Sequence, residues 1–303
     1  MEKDDKILLI LNPAAGKGQG KKNFDIIHSL LKEKFKNIEI VISEYRGHIS
    51  KISRNAINNG FKRILTIGGD GTPYEVLNGI KSREELGSIE LGIIPAGTGN
   101  SFLRDFIDID YKKIIDRIKI GKTRLVDVVE IEYGKGKEKK RKYYLNILGV
   151  GLIADILKLT NERLKFMGEL GYSVSVITHI FKGLKNKINM RYDKKFIELK
   201  NSAMVISNSK YTGGKMKISP LSDTQDGKVD IVIFNEVSRI DIIKIFAGVF
   251  KGSHMNHKKV KHIKASEIEI DSEPQLLLMA DGEVLKQTPL KLTVLPKALK
   301  ILI

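Results

Sequence analysis

A short apolar run, Ile64-Leu65-Thr66-Ile67, breaks on Gly68-Gly69-Asp70-Gly71-Thr72 and passes directly into Pro73-Tyr74-Glu75-Val76-Leu77-Asn78-Gly79. That reads as a strand, a glycine turn and the start of a helix, with Pro73 suited to a first helical position. Glycines at a strand end let the backbone pass close to a bulky anion, and a carboxylate between them is placed to hold Mg²⁺. A tight strand-to-helix turn with an Asp or Thr cap would use the same residues.

The flanking sequence repeats the arrangement. Lys6 to Leu11, Ile38 to Ile42, Arg63 to Ile67 and Leu91 to Ile94 read as strands, with helices over Phe24 to Phe35, His48 to Asn59 and from Pro73. Apolar strands alternating with amphipathic helices imply a parallel sheet covered on both faces. Ligands of such sheets bind outside the carboxyl ends of the strands. From about Arg124 the pattern changes to strands over Val126–Tyr133, Lys142–Val150, Lys187–Tyr192, Ala203–Ser207, Lys228–Phe234, Glu267–Asp271, Gln275–Ala280 and Leu290–Leu295. Helices are expected there only near Glu162–Lys185 and Arg239–Lys251. The expected fold is α/β plus mostly β: a parallel-sheet domain over 1–125, an antiparallel β-sandwich domain over 126–288, and 289–303 returning to the first. The domains are expected to touch and form a cleft.

Two further loops leave strands of the first domain. Asn12-Pro13-Ala14-Ala15-Gly16-Lys17-Gly18-Gln19-Gly20-Lys21-Lys22 matches neither a P-loop nor G-x-G-x-x-G, yet a small basic loop at a strand end suits phosphate oxygens. An ordinary βα connection explains it equally well. Pro95-Ala96-Gly97-Thr98-Gly99-Asn100-Ser101 offers a hydroxyl and amides, and turns favour the same residues. Far along the chain, Met279-Ala280-Asp281-Gly282-Glu283 is either a plain Asp-Gly hairpin or an acidic pair facing a nucleotide. Phosphoryl transfer needs positioned phosphates, Mg²⁺ and a carboxylate that accepts the hydroxyl proton, and Asp70 with Glu283 would supply the acidic parts.

Composition narrows the classes. No cysteine occurs, which excludes disulfides, thiolate metal sites and a cysteine nucleophile. No apolar run approaches the roughly 20 residues of a spanning helix, and the N-terminus is polar, so a cytoplasmic location is expected. The net charge of +17 concentrates at Lys135–Lys142 and His257–Lys264, read as solvated hairpin turns or as contacts for anionic headgroups. Aromatics interleaved as in a single-strand binding platform are missing, so nucleic acid is not an expected partner.

Together these residues resemble the diacylglycerol kinase catalytic-domain superfamily, which includes bacterial lipid kinases, sphingosine kinases and ceramide kinases. The resemblance rests on the Asn12-Pro13 loop, Gly68–Thr72 with Glu75 and Asn78-Gly79, Pro95–Asn100, Asp127, Asn146 with Gly149 and Gly151, Asp226-Gly227 and Asp281–Glu283, and it spans nearly the whole chain. Gly-Gly-Asp-Gly-Thr alone would also suit NAD kinases or phosphofructokinases; the Pro-Ala-Gly-Thr-Gly-Asn loop and the late Asp-Gly-Glu add the specificity. Two positions depart from the pattern: Ser101 stands where many bacterial members carry Asp, and Pro73 replaces an aliphatic residue. Gly151–Asp155 followed by Arg163–Gly171 is closer to sphingosine kinases.

The resemblance implies an ATP site between the domains, contacted by Asn12, Pro13, Ala14, Ala15, Gly16, Ser43, Gly69, Asp70, Gly71, Thr72, Glu75 and Thr98. Asp70 and Asp127 match carboxylates tied to catalytic Mg²⁺, and Glu283 matches the general base, a role some relatives give to the equivalent of Asp70. Asp223, Asp226 and Lys228 match a structural Mg²⁺ site, partly through backbone carbonyls. The expected activity is transfer of the γ-phosphoryl of ATP to a lipid hydroxyl, on diacylglycerol or a long-chain base such as sphingosine. The expected partners are a lipid acceptor at the membrane surface, peripheral contact with anionic membrane, and a second copy in a homodimer. An NAD kinase-like phosphotransferase and a non-enzymatic nucleotide- or polyanion-binding regulator are the alternatives.

Overall fold

A computed structural model describes residues 6–18, 24–96, 99–107, 109–160, 174–175, 178 and 184–303. The chain divides into two units, Met1–Val126 with Lys297–Ile303, and Asp127–Pro296.

The first unit is built on β1 (Ile7–Leu11), β2 (Ile38–Ile42), β3 (Arg63–Gly68) and β4 (Glu90–Pro95). They run parallel in the order β2-β1-β3-β4, and residues 300–302 extend the sheet alongside β4. Every residue of β1 is buried, as expected for a strand covered on both faces. Around the sheet lie α1 (Phe24–Lys34), α2 (His48–Asn58), α3 (Gly71–Leu77), α4 (Arg83–Ser88) and α5 (Tyr111–Ile120). The last two are additions to the sequence reading. Ser82 caps α4 by accepting the Glu85 N–H, and Asp110 caps α5 by accepting those of Lys112 and Lys113. Helix α5 stops at Gly121, whose φ of 74° is open to glycine.

The second unit contains β5 (Thr123–Tyr133) from Asp127 onward, β6 (Lys140–Tyr144), β7 (Ile147–Val150), β8 (Lys187–Tyr192), β9 (Lys195–Lys200), β10 (Ser202–Ser207), β11 (Val229–Asn235), β12 (Val260–Ala265), β13 (Glu267–Glu273), β14 (Leu277–Ala280), β15 (Glu283–Gln287) and the first part of β16 (Leu290–Leu302). One antiparallel sheet has the order β12-β11-β10-β7-β14-β15, and β9-β8-β13-β16 form a second antiparallel ladder. Against one face of the six-stranded sheet pack α6 (Leu152–Leu159) and α7 (Arg239–Val249), joining Ala154, Leu157, Ile245 and Val249 to Val205, Val232, Phe234 and Met279.

Three expectations change. The single strand over Lys142–Val150 is two, β6 and β7, because the chain turns at Leu145-Asn146 and changes sheet. Part of the basic stretch at His257–Lys264 is not a turn but the edge strand β12, where Lys residues blunt an exposed ladder. Strand β16 continues to Leu302, and residues from Lys297 belong to the first unit, whereas the sequence places the return at 289. The helix expected over Glu162–Lys185 falls almost wholly outside the described residues, as does Arg163–Gly171.

Candidate phosphate-binding loops and acceptor cavity

At the carboxyl ends of the parallel strands, backbone bonds carry the ladder past the sheet. Asn12 N–H donates to Ile67 O (3.0 Å), Ser43 N–H to Leu11 O (2.9 Å) and Ala96 N–H to Gly68 O (2.9 Å). The loops holding Asn12–Gly16, Ser43 and Gly69–Thr72 are thereby set side by side. Asn12 locks two of them: its Nδ2 donates to Thr72 Oγ1 (3.2 Å) and its Oδ1 accepts the Ala14 N–H (3.2 Å). Gly68 permits the close turn, since a Cβ there would lie 2.1 Å from Thr72 Oγ1. No atom lies within 4 Å of a Cβ built on Gly71, so the loop keeps backbone open on that side. Thr98 and the Gln19–Lys22 segment lie outside the described residues.

Asp70 occupies the N-cap position of α3, yet its side chain makes no capping bond. The cap explanation for this carboxylate is therefore set aside. Its Oδ1 instead accepts the Phe102 N–H at 3.4 Å. Desolvation raises the Asp70 pKa above the ordinary carboxylate range; the Phe102 N–H, the Ser101 hydroxyl and N–H, and the Arg104 charge pull it down without cancelling the rise. Ser101 thus serves Asp70 as a hydrogen-bond donor. A desolvated carboxyl with a raised pKa suits a cation partner or a proton acceptor.

Glu75 carries an unfulfilled group. Its backbone carbonyl accepts from Ser50 Oγ (2.7 Å), while Oε2 is buried with no hydrogen-bond partner among the described residues. A buried carboxylate oxygen without a donor is costly unless a ligand hydroxyl or a cation completes it.

The other acidic residues lie in the second unit. Asp127 is fully buried on β5; its N–H donates to Thr224 O (2.6 Å) and its Oδ2 accepts the Gly227 N–H (2.7 Å). It therefore braces the 224–227 loop. In that loop Asp223 Oδ1 accepts the Gln225 N–H (3.0 Å), Asp226 Oδ1 accepts the Lys228 N–H (3.0 Å), and Asp226 Oδ2 pairs with Lys264 Nζ (2.6 Å). Burial works against the Lys264 charge, but the Asp226 bond and the Asp230 and Asp226 charges leave its pKa raised. Among the described residues, no three acidic or histidine side chains gather as a metal cage. Mg²⁺ commonly keeps waters and takes one or two carboxylates plus substrate phosphates. Asp70 offers a carboxylate of that kind, whereas the site expected at Asp223, Asp226 and Lys228 draws partly on backbone carbonyls, which side-chain clustering does not address.

Glu283 opens β15 opposite Ala280, half-buried, after a two-residue turn at Asp281 (φ 46°) and Gly282 (φ 91°). Those positive angles make a type I′ hairpin, as Asp-Gly favours. The carboxylate of Asp281 accepts the N–H groups of Leu145 (2.8 Å), Asn146 (3.0 Å) and Ile147 (2.9 Å). Asp281 is thus a clasp on the β6–β7 turn, a role the sequence reading missed because Asp-Gly already explained the residue. Asn208 was missed as well: its Nδ2 donates to Asp127 O (3.0 Å) and Leu145 O (2.8 Å), tying β5 to that turn.

The second unit also holds an apolar cavity with about 740 Å³ of empty space, its open mouth included, that exposes no polar wall surface. Ile153, Leu157, Val205, Phe234, Ile245 and Phe246 line it, from α6, α7 and the six-stranded sheet. Periodicity marks such side chains only as core, so the sequence carried no sign of a hollow.

Residues 6–131 match the model of the diacylglycerol kinase catalytic domain, and residues 146–303 that of the YegS C-terminal NAD kinase beta sandwich-like domain. YtlR of Bacillus subtilis, whose name describes a candidate lipid kinase, is 28% identical over 306 residues, covering 96% of this chain and 97% of its own. A diacylglycerol kinase of the same organism is 24% identical over 278 residues, 91% of this chain and 88% of its own. The crystal structure of a diacylglycerol kinase from Bacillus anthracis superposes with a TM-score of 0.73 at 24% identity, over 98% of this chain and 96% of that one. Yeast NADH kinase shares the fold more distantly, with a TM-score of 0.54 at 11% identity over 98% of this chain and 82% of that one.

Proposed function

The chain belongs to the diacylglycerol kinase catalytic-domain family with a YegS-type C-terminal domain, and from that premise we propose that it transfers the γ-phosphoryl of ATP to the hydroxyl of a lipid. The observation that carries the lipid assignment is the cavity of the second unit, whose walls offer no polar surface. A nicotinamide dinucleotide acceptor would need hydrogen-bond donors and acceptors there; an acyl or long-chain-base tail needs none.

In this reading the loops Asn12–Gly16 and Gly69–Thr72 lie along the nucleotide phosphates: the N–H groups of Asn12, Ala14, Ala15 and Thr72 hold the loops themselves in shape, and those of Gly16, Gly69, Asp70 and Gly71 are offered to phosphate oxygens. Ser43 and Thr98 complete the nucleotide contacts, and Glu75 accepts a nucleotide hydroxyl at its unfilled Oε2. Mg²⁺, held by Asp70 and the phosphates, would supply charge neutralisation at the transferring group. Glu283 or Asp70 takes the proton of the acceptor hydroxyl, and the tail of the acceptor lies in the cavity of the second unit.

Radiolabelled ATP, offered with a total lipid extract and separately with NAD, tests the assignment, with products identified by mass. Label in a lipid phosphate ester is the expected result. Label in NADP would move the chain to the NAD kinase reading, and ATP binding without transfer to either would leave the regulator reading.

A further inference from the structure

Helix α7 carries apolar side chains on both of its faces. Ile245, Phe246 and Val249 line the cavity, whereas Ile240 and Ile243 are 64% and 57% exposed. Phe250, which follows the helix in helical conformation, is 36% exposed and meets Phe246 edge-on at 5.9 Å. Leu221 is 57% exposed, next to Pro220, whose ring lies beside Gly252 just past the helix end. A helix apolar all round is ordinarily buried; this one is buried on one side only.

The charge around the outer face is one-sided. At about 100° per residue, Ile240, Ile243, Ala247 and Phe250 fall within an arc of about 80°. Lys244 and Lys251 edge that arc on one side and Arg239 on the other. Asp241 is the single acidic residue from Arg239 to Lys251, and it is already engaged: it closes the capping box with Ser238, binds Lys259 Nζ at 2.8 Å and faces His257 Nε2 at 3.4 Å. An apolar strip edged by cations is the pattern of a helix lying in a bilayer interface, and the chain's charge of +17 adds to its attraction for anionic headgroups.

We propose that the outer face of α7, with Leu221, docks on an anionic bilayer: Ile240, Ile243, Phe250 and Leu221 enter the acyl boundary while Arg239, Lys244 and Lys251 meet lipid phosphates. The choice of a bilayer as partner rests on the lipid-acceptor reading. The exposure and the charge of the face do not. Docking there would set the wall of the cavity at the membrane surface.

The chain has no tryptophan, so Ile243→Trp provides a single fluorescent reporter in the full-length protein. Its emission is expected to shift to the blue on vesicles of equal parts phosphatidylglycerol and phosphatidylcholine, and to revert in high salt. Pure phosphatidylcholine vesicles should produce little shift. In the wild-type background, Ile240→Gln with Ile243→Gln should lower the vesicle partition coefficient at least about tenfold. Lys244→Gln with Lys251→Gln should lower it about 25-fold on anionic vesicles, about fivefold per charge. Melting temperature and phosphorylation of a water-soluble short-chain lipid should be unchanged in both pairs. No blue shift on any vesicle would overturn the proposal, as would a shift that grows with protein concentration in the absence of lipid, which marks contact with a second copy. Loss of short-chain turnover in the double Gln variants at Ile240 and Ile243 would overturn it too, by making the face part of the acceptor site. If no lipid is phosphorylated while vesicle docking persists, the lipid-kinase reading fails and the docking face stands.

Discussion

The Asp281 carboxylate lies 3.0 Å from the backbone nitrogen of Asn146 and receives its N–H, in a bond that spans 135 residues of sequence. With the flanking Leu145 and Ile147 N–H groups it ties the turn where the chain leaves β6 for β7 to the hairpin that presents Glu283. The acidic pair in Asp281-Gly282-Glu283 therefore divides: Asp281 holds the turn together, and Glu283 is the member proposed as a base.

Asp281→Asn should be destabilising. The amide keeps one acceptor oxygen and turns an NH₂ toward backbone N–H groups, leaving buried donors unpaired at about 1–3 kcal/mol. Chemical denaturation should show the loss with an unchanged m-value. A midpoint equal to wild type would deny the clasp.

Asp70→Asn should remove turnover while raising stability at neutral pH. Burial raises the folded-state pKa of Asp70 above its unfolded value, so the charged form opposes folding and that penalty is present once the pH exceeds the folded pKa. Below the ordinary carboxylate range the group is protonated in both states and the penalty vanishes. The melting advantage of the Asn variant should therefore be present near pH 7 and shrink on acidification. Turnover should fall at least about 10²-fold. A variant less stable than wild type at pH 7 would contradict the desolvation argument.

Glu283→Gln separates the two candidate bases. If Glu283 accepts the hydroxyl proton, single-turnover rates should fall about 10²- to 10⁴-fold with Mg·ATP affinity intact. An unchanged single-turnover rate would leave Asp70 as the base, consistent with its raised pKa.

Ala203→Phe should test the cavity. Ala203 is buried in the cavity wall, and a ring there occupies space an acyl tail would use. KM for long-chain acceptors should rise about tenfold or more and preference should move to shorter chains, since each methylene in an apolar pocket carries about 1–3 kcal/mol. Nucleotide affinity, read by ATP titration, should not change. Equal use of long and short acceptors by variant and wild type would remove the cavity from the acceptor site.

The sequence alone determined the local grammar. Apolar runs with helical or alternating spacing yielded β1 to β4 and the change to antiparallel strands after Arg124, because burial imposes a period on each element independently of its neighbours. Gly68–Thr72 could be read as a strand-end loop because Gly and Pro restrict the backbone by themselves. Tertiary structure decided which polar residues face one another. Nothing local distinguishes Asp281, spent on three amides, from Glu283, two residues later. Nothing local shows that Asp127 braces the 224–227 loop, that Ser101 donates to Asp70, or that side chains patterned as core leave a hollow between α6, α7 and a sheet. The outer face of α7 escaped for the same reason: an apolar helix is read as buried on every side, and only the packed structure shows which side was left uncovered.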